Sequence, residues 1–176
     1  MTTPGITLVV YETMYGCTRD VAQAVADGCG ATGAGDVRLV EVSTLVAGDA
    51  AGLFDGVALL VVGGPTHAFS MTRPGTRQDA GKYGRTISQT GVREWLATLT
   101  VPTGLPVAAF CTKLESPLSG SAARSIAQRL RRLGGRLVVP AKDFSVKGTT
   151  PVLLPGEVER ARAWGASLVA AVPSAR

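Results

Sequence analysis

The chain has 176 residues, of which 45% are apolar and 18% charged, and its formal net charge is +5. This composition is too apolar for a disordered chain and fits a single domain, residues 1–176, whose core needs no disulfide or metal. It also excludes a membrane-spanning protein, because the longest apolar run, residues 57–62, is far shorter than the roughly 20 residues that cross a bilayer.

The opening residues, the cysteines and the charge pattern predict a cytoplasmic protein. The opening MTTPGITLVV has no basic segment and no cleavage site, so we expect neither a signal peptide nor an anchor. The three cysteines include no CxxC pair, which argues against a disulfide framework and against a zinc–thiolate site. Basic residues cluster only at 124–136, without interleaved aromatic residues, so we expect no binding to nucleic acid or to membranes.

Apolar runs and helical patterns alternate along the chain. Runs rich in valine, leucine and alanine predict strands at residues 6–11, 37–42, 57–62, 106–110 and 136–139. Apolar residues at helical spacing predict helices near residues 18–27, 92–99, 124–133 and 158–172, with Trp95 and Trp164 in the core. Residues 45–56 are only weakly helical, and residues 64–91 form a long polar insertion. This alternation predicts a three-layer α/β sandwich with a parallel sheet covered on both faces.

The loop at residues 13–18 joins the first strand to the first helix. Such a loop presents free backbone N–H groups and the positive end of the helix dipole, and therefore favours an anion, most often phosphate. Hydroxyl groups of Thr13, Tyr15 and Thr18 would add donors, and Gly16 would let the backbone close around the ligand. The loop contains no lysine, so it suits one terminal phosphate better than a nucleoside triphosphate. The structural alternative is a helix cap with Thr18 as its first residue.

Three other phosphate-binding classes can be tested by counting. A phosphatase of this topology needs an arginine six residues after its cysteine, and no cysteine here has one. A phosphoacceptor domain needs an aspartate at the end of the third strand, where Gly63 and Gly64 stand instead. Gly28, Gly30 and Gly33 spell GxGxxG, but they follow a helix and precede a strand, which is the wrong order for dinucleotide binding. A turn explains those glycines.

Three stretches of the chain resemble the flavodoxin family. The family's phosphate loop, TxTGxT, matches Thr13, Gly16 and Thr18 in register, with Tyr15 replacing the middle threonine. GGPT at residues 63–66 resembles the start of the family's first flavin-flanking loop, and the end of the fourth strand occupies the place of the second. In style, GGPTHAFSM and LLPGEVERARAWG resemble flavodoxin-type proteins of high-GC actinobacteria.

The resemblance implies a five-stranded, parallel, doubly wound sheet with strand order 2-1-3-4-5 and a noncovalently bound FMN. The 13–18 loop would hold the phosphate, and the flavin ring would lie between the two flanking loops. Tyr15 would reach the phosphate with its hydroxyl or cover the ribityl chain with its ring. Carried over residue by residue, the cofactor-binding set is Thr13, Met14, Tyr15, Gly16, Cys17, Thr18, Pro65, Thr66, His67, Ala68, Phe69, Cys111, Thr112 and Lys113.

Several side chains carry two interpretations each. Lys113 would raise the flavin potential if its ammonium lay near N1 and O2, or it is a solvated loop residue. His67, the only histidine, would donate to a flavin carbonyl or relay a proton to N5, or it is a polar loop residue; alone it cannot build a multi-histidine metal site. Cys17 is a thiol whose pKa the helix dipole lowers, or it only packs beside the phosphate. The arginines at 124–136 form a solvated face or a docking surface for an acidic redox partner.

Three functions remain open at this point. The leading hypothesis is an FMN protein that passes electrons between a reductase and an unknown acceptor, without catalytic or metal-ligating residues of its own and as a monomer or a homodimer. The second is an FMN-dependent oxidoreductase acting on a quinone or a porphyrinogen, with the loop at 64–91 covering the substrate. The third is a flavin-free module of the same fold that binds another phosphate or a protein.

Overall fold

The computed structural model describes residues 5–45, 51–83 and 87–173. In chain order its elements are β1 (Ile6–Tyr11), α1 (Cys17–Ala31), β2 (Val37–Glu41), β3 (Val57–His67), β4 (Ser70–Met71), α2 (Pro74–Gly81), α3 (Val92–Thr98), β5 (Pro106–Leu114), α4 (Ala122–Arg132), β6 (Arg136–Leu137), β7 (Lys142–Lys147), β8 (Val152–Leu153) and α5 (Glu157–Ala171). The five long strands are parallel and follow the order β2-β1-β3-β5-β7, which confirms the predicted order. The short strands β4 and β8 add antiparallel pairs to β3 and β7.

Helices cover both faces of the sheet, because the central strands are apolar along their whole length. Leu8 and Leu60 face one layer, where they pack with α3 and α4. Val9 and Val61 face the other layer, where they pack with α1 and α5. Trp95 and Trp164 are buried in these two layers, as predicted. The chain is therefore a three-layer α/β sandwich.

The predicted fifth strand is wrong in position. Only Arg136–Leu137 forms a strand there, and it pairs with the first two residues of β5. The long neighbour of β5 is β7, Lys142–Lys147, which buries Phe144 and Val146 between polar residues. Pro140, which has no N–H group for a ladder hydrogen bond, separates the two segments. The apolar run at residues 136–139 therefore lies just before the fifth long strand, β7, and does not form it.

The helix and loop predictions also need correction. Helix α1 continues to Ala31, so Gly28 and Gly30 lie inside a helix and not in the expected turn. The insertion at 64–91 contains the end of β3, the strand β4 and the helix α2, while residues 84–86 lie outside the described part. Residues 51–56, which were weakly helical in sequence, form turns, and residues 46–50 also lie outside the described part.

Two glycines bring α1 and α5 into direct backbone contact. A Cβ atom at Gly28 would lie 2.0 Å from the carbonyl oxygen of Arg162, and one at Gly165 would lie 2.2 Å from that of Val25. No other residue fits at either position, because the obstacle is backbone that cannot rotate away. This contact explains Gly28 without a dinucleotide site, and it fixes the position of α1 and of the loop before it.

Candidate functional site

The 13–18 loop is held from outside by the segment at Ile87 and Ser88. The N–H groups of Ile87 and Ser88 donate to the carbonyl oxygens of Met14 and Thr13, at 3.0 and 2.9 Å. The Ser88 hydroxyl accepts from the Thr13 N–H at 2.9 Å and donates to Glu41 at the end of β2. Within the loop, the Gly16 N–H donates to Thr13 Oγ1 at 3.0 Å. These bonds fix the loop before any ligand binds.

Several N–H groups of this loop have no acceptor in the part of the chain that the structure describes. Within the described ranges, no protein acceptor is found for the N–H groups of Met14, Tyr15, Cys17 and Thr18. Cys17 and Thr18 begin α1, so their N–H groups belong to the positive end of its dipole. The loop thus combines the donors and the partial charge that the sequence predicted for an anion.

All four of these residues border a cavity of about 390 Å³ at the carboxyl ends of the strands. The cavity contacts the 13–18 loop, the end of β3 and the end of β5, the three places that the sequence predicted to meet. It also contacts helix α2, within the 64–91 insertion that the second hypothesis placed over a substrate, and the segment between β7 and β8, which the sequence did not indicate. From the predicted set it is lined by Thr13, Met14, Tyr15, Cys17, Thr18, Pro65, Thr66, His67, Ala68, Thr112 and Lys113.

Three residues of the predicted set do not line the cavity. Gly16 shapes the loop through a left-handed backbone, with φ of 108°. The side chain of Phe69 is 69% exposed, and its backbone pairs with Gly120. Cys111 is buried in the core, where its thiol donates to Asp143 Oδ1 at 3.2 Å. Phe69 therefore does not stack over this cavity, and the first flanking loop supplies no aromatic ring to it.

Two tyrosines supply aromatic rings to the cavity instead. The Tyr15 hydroxyl donates to the carbonyl oxygen of Ala80 in α2 and so ties the 13–18 loop to that helix. Of its two predicted roles, this bond favours the ring over the ribityl chain and not the hydroxyl on the phosphate. Tyr83, just beyond α2, also lines the cavity. Burial raises the pKa of Tyr15, and Tyr83 adds to the rise. An aromatic residue in the otherwise polar segment AGKYG was the one sequence signal for Tyr83.

Thr18 and Thr112 join the first loop to the end of β5. Their hydroxyl oxygens are 2.8 Å apart, and both residues are buried beside the cavity. A hydroxyl has one hydrogen, so one threonine donates to the other and the acceptor keeps its own hydrogen for a further partner. The pair can therefore donate one hydrogen bond to an anion in the cavity.

One arginine and one lysine side chain bring positive charge to the site. The guanidinium of Arg19 lies over the loop, since a Cβ atom at Gly16 would be only 2.9 Å from its Nη2 atom. Lys113 lines the cavity with a side chain only 16% exposed, and its Nζ atom is 3.9 Å from Asp143 Oδ2. Asp143 is in turn held by the Ser121 hydroxyl, which donates to Oδ1 at 2.6 Å. The positive charge of Lys113 is thus partly balanced by a fixed carboxylate.

The surroundings of His67 favour its neutral form. Burial lowers the pKa of His67, and the positive charge of Arg77 lowers it further. A neutral imidazole donates at one nitrogen and accepts at the other. His67 is the last residue of β3 and lines the cavity. The next two residues, Ala68 and Phe69, have positive φ angles of 45° and 72°, a backbone conformation that is unfavourable for residues other than glycine.

Cys17 does not have the lowered pKa that its helix position suggested. Burial raises the pKa of the Cys17 thiol, and the charge of Asp20 adds to the rise. The thiol also donates to the carbonyl oxygen of Pro151 at 3.1 Å. Burial of the thiol and its hydrogen bond to Pro151 therefore favour the packing interpretation of Cys17.

A buried carboxylate lies directly before the loop and was missed by sequence reasoning. Glu12 accepts from the Val92 N–H at 2.8 Å and from the Thr72 hydroxyl. Arg77 approaches Glu12 at 3.9 Å and forms an ion pair with Glu94 at 2.6 Å. Burial raises the pKa of Glu12, against the effect of these donors. The network ties the end of β1 to α2 and α3, and a charged residue immediately after a buried strand was its signal.

Two absences hold for the described residues. The part of the chain that the structure describes contains no group of three or more His, Cys, Asp or Glu side chains arranged to hold a metal ion. Nor does it contain a helix with the length and apolar character needed to cross a membrane.

Comparison with known proteins identifies the class of fold. No protein-family model matches the sequence, and no curated protein does. Among solved structures, flavodoxin 1 from Bacillus cereus is 15% identical, with a TM-score of 0.68 over 94% of this chain and 98% of its own. A flavodoxin from the domain Archaea is 19% identical, with a TM-score of 0.63 over 95% and 98%. The Flv1 flavodiiron core from Synechocystis sp. PCC6803 is 18% identical, with a TM-score of 0.65 over 97% of this chain but only 36% of its own. The chain has the flavodoxin-like fold.

Proposed function

We propose that this protein binds FMN in the cavity beside the 13–18 loop and transfers electrons between a reductase and an acceptor protein. The observation that carries the proposal is the fixed loop in which the N–H groups of Met14, Tyr15, Cys17 and Thr18 have no acceptor among the described residues and border a cavity of about 390 Å³. That volume lies within the range of about 300 to 1,000 Å³ typical of small-molecule sites. Flavodoxins among the structures of the same fold support the choice of FMN.

The phosphate end of the ligand fits the 13–18 loop. The loop offers backbone N–H groups, the spare hydroxyl hydrogen of the Thr18–Thr112 pair and the nearby guanidinium of Arg19. Hydrogen bonds to a charged acceptor contribute about 1.5 to 3 kcal/mol each. A phosphate group here would be held mostly by backbone and hydroxyl donors, with one cation at the rim.

The ring end of the ligand fits between the ends of β3 and β5. Residues 65–68 border one side of the cavity and residues 112–114 the other, while Tyr15 and Tyr83 lie toward α2. When bound, a flavin supplies one- or two-electron transfer. The protein orients it, excludes water and sets the local charge through Lys113 and Asp143. The neutral imidazole of His67 can hold a hydrogen bond to a ring carbonyl or to N5.

The fit of the phosphate predicts a large preference for FMN over riboflavin, which lacks only that group. Two charge-assisted hydrogen bonds, at about 3 kcal/mol or more together, correspond to a dissociation constant at least about 100-fold lower for FMN. Flavin fluorescence titration of the purified protein measures both constants. The Thr18→Val variant should reduce the ratio of the two dissociation constants, because it should weaken the binding of FMN and not that of riboflavin. Equal affinities for FMN and riboflavin would exclude the phosphate role of the 13–18 loop. No binding of either flavin would exclude the proposal as a whole and favour the flavin-free module.

The pair of Lys113 and Asp143 predicts opposite changes of the reduction potential. Lys113→Met removes a positive charge at the cavity and should lower the midpoint of the FMN-loaded protein, whereas Asp143→Asn should raise it. A screened interaction of about 1 kcal/mol corresponds to ~20 mV for a two-electron couple. Lys147→Met removes an exposed lysine at the end of β7, the strand of Asp143; it is the matched control and should leave the potential unchanged. Redox titration with identical midpoints for all four proteins would show that the pair has no such role.

A carrier and an enzyme can be separated by turnover. We infer a carrier, since the residues of the cavity are explained by flavin binding. Steady-state oxidation of NAD(P)H with a quinone should then be slow unless a reductase is added.

The three cysteines are free thiols, which is consistent with a reducing compartment such as the cytoplasm.

A further inference from the structure

Helix α4 presents a face that is positively charged and carries no acidic residue. Its sequence, AARSIAQRLRR, contains four arginines, and it buries Ile126 and Leu130 against the sheet. Arg124, Arg131 and Arg132 are exposed on the opposite side. Among the described residues, none of the four arginines of this helix forms an ion pair with a carboxylate. Such a face attracts a negatively charged surface.

A groove beside α4 extends this charge toward β4. The groove has a volume of about 390 Å³ and is lined by Arg93, Arg129 and Arg132 together with Ser70, Ser125 and Gln128. Arg93 is already positioned, because its guanidinium donates to the carbonyl oxygens of Met71 at 2.9 Å and Thr72 at 3.1 Å. The hydroxyl oxygens of Ser70 and Ser125 are 2.8 Å apart and join β4 to α4. Carboxylates of a partner would meet a prearranged cationic groove here.

Exposed apolar side chains lie between this charge and the proposed FMN cavity. Phe69 directly precedes β4 and Leu118 lies in the loop before α4, with exposures of 69% and 80%. The pairing of Phe69 with Gly120 brings these two segments together. Leu114, also exposed, lines the cavity itself. An apolar centre with a charged rim is the usual anatomy of a protein interface.

We propose that this basic docking face, formed by Phe69, Leu114, Leu118 and the arginines of α4 with Arg93, binds an acidic protein. Charge complementarity selects an acidic partner, and the apolar side chains favour a protein over a nucleic acid. Three acidic residues belong to neighbouring segments, and each leaves most of the charge in place. Glu94, next to Arg93 in α3, is paired with Arg77 at 2.6 Å, and Asp143 approaches Lys113. Glu115 is one carboxylate against five arginines. Electron exchange between this partner and an FMN in the cavity rests on the proposed function, whereas the binding of the partner does not.

The test is an NMR titration of the flavin-free, ¹⁵N-labelled protein with cytochrome b5, an acidic haem protein. We expect chemical-shift changes in the amides around Phe69, Leu118 and α4, and the binding should weaken as the salt concentration increases. The Arg124→Ser/Arg131→Ser variant should bind about fivefold more weakly or worse. The control variant Arg38→Ser/Arg162→Ser loses the same charge from exposed positions on β2 and α5, and its affinity should change by less than about twofold. Leu118→Ser should also weaken binding, whereas the exposed Val152→Ser, on β8, should not.

Three results would overturn the docking face. One is equal weakening in the two arginine variants, which would show that only net charge matters. Another is the absence of localised shifts. The third is a DNA duplex that binds the same face more tightly than cytochrome b5 does. Because the titration uses no flavin, a failure to bind FMN would remove the proposed function without affecting this result.

Discussion

Replacing Gly16 by alanine is expected to weaken FMN binding by about 5- to 150-fold, which corresponds to the 1–3 kcal/mol cost of a sparsely populated backbone conformation. Gly16 has φ of 108° and ψ of −15° and is followed directly by α1. A side chain there would strain this conformation and approach the Arg19 guanidinium, whose flexible end can move away. The backbone N–H groups around it would then lose their common direction toward a phosphate. Fluorescence titration with FMN measures the effect.

Gly33→Ala provides the control for this prediction. Gly33 also has positive φ, of 66°, but no atom lies near its Cβ position, and it is at the opposite end of α1 from the loop. Its substitution should lower stability by a similar strain and leave FMN affinity unchanged. If Gly16→Ala bound FMN as tightly as the unchanged protein, the 13–18 loop would not hold the phosphate. Riboflavin affinity should remain the same in both variants.

Gly165→Ala is expected to destabilise the fold by about 3 kcal/mol, at the upper end of the usual cost of overpacking. The new methyl group would meet the backbone carbonyl of Val25 at 2.2 Å, so α1 and α5 must separate. For a domain of this size the loss corresponds to a fall of roughly 6 to 12 °C in Tm. Thermal unfolding followed by circular dichroism measures it.

The matched variant for this second prediction is Gly75→Ala. Gly75 lies in α2 with no atom within 4 Å of its Cβ position, so alanine should be neutral or should stabilise the helix by up to ~1 kcal/mol. An unchanged Tm for Gly165→Ala would mean that the two helices are not in backbone contact. Helix α1 also carries the 13–18 loop, so separation of the helices should weaken FMN binding as well.

The two predictions concern glycines with different physical roles, which the sequence could not separate. Gly16 was recognised because it stands in a motif between a strand and a helix, where a tight turn is needed. Gly28 belonged to an apparent GxGxxG motif, and its role became clear only from the position of α5, whose contact residue Arg162 lies more than a hundred residues later. A motif describes local geometry, whereas close helix packing depends on a distant partner.

The aromatic and charged residues of the cavity show the same limit. Phe69 follows the right strand, yet the turn at Ala68 and Phe69 places its ring outside the cavity, where it contributes to the basic docking face. Tyr83 takes a place at the cavity because α2 forms inside what the sequence predicted as a polar insertion. The position of Lys113 was predicted, but its pairing with Asp143 was not, since that pairing requires the register between β5 and β7.

What the sequence determined by itself was the alternation of strands and helices, the order of the layers and the 13–18 loop. Each of these depends on neighbours along the chain, namely apolar periodicity and the chemistry of one strand-to-helix turn. Only the tertiary structure decided which strand completes the sheet, which tyrosines line the cavity and which carboxylate faces Lys113. Those features depend on contacts between residues far apart in sequence, and such contacts are set by packing and strand register, which no local pattern encodes.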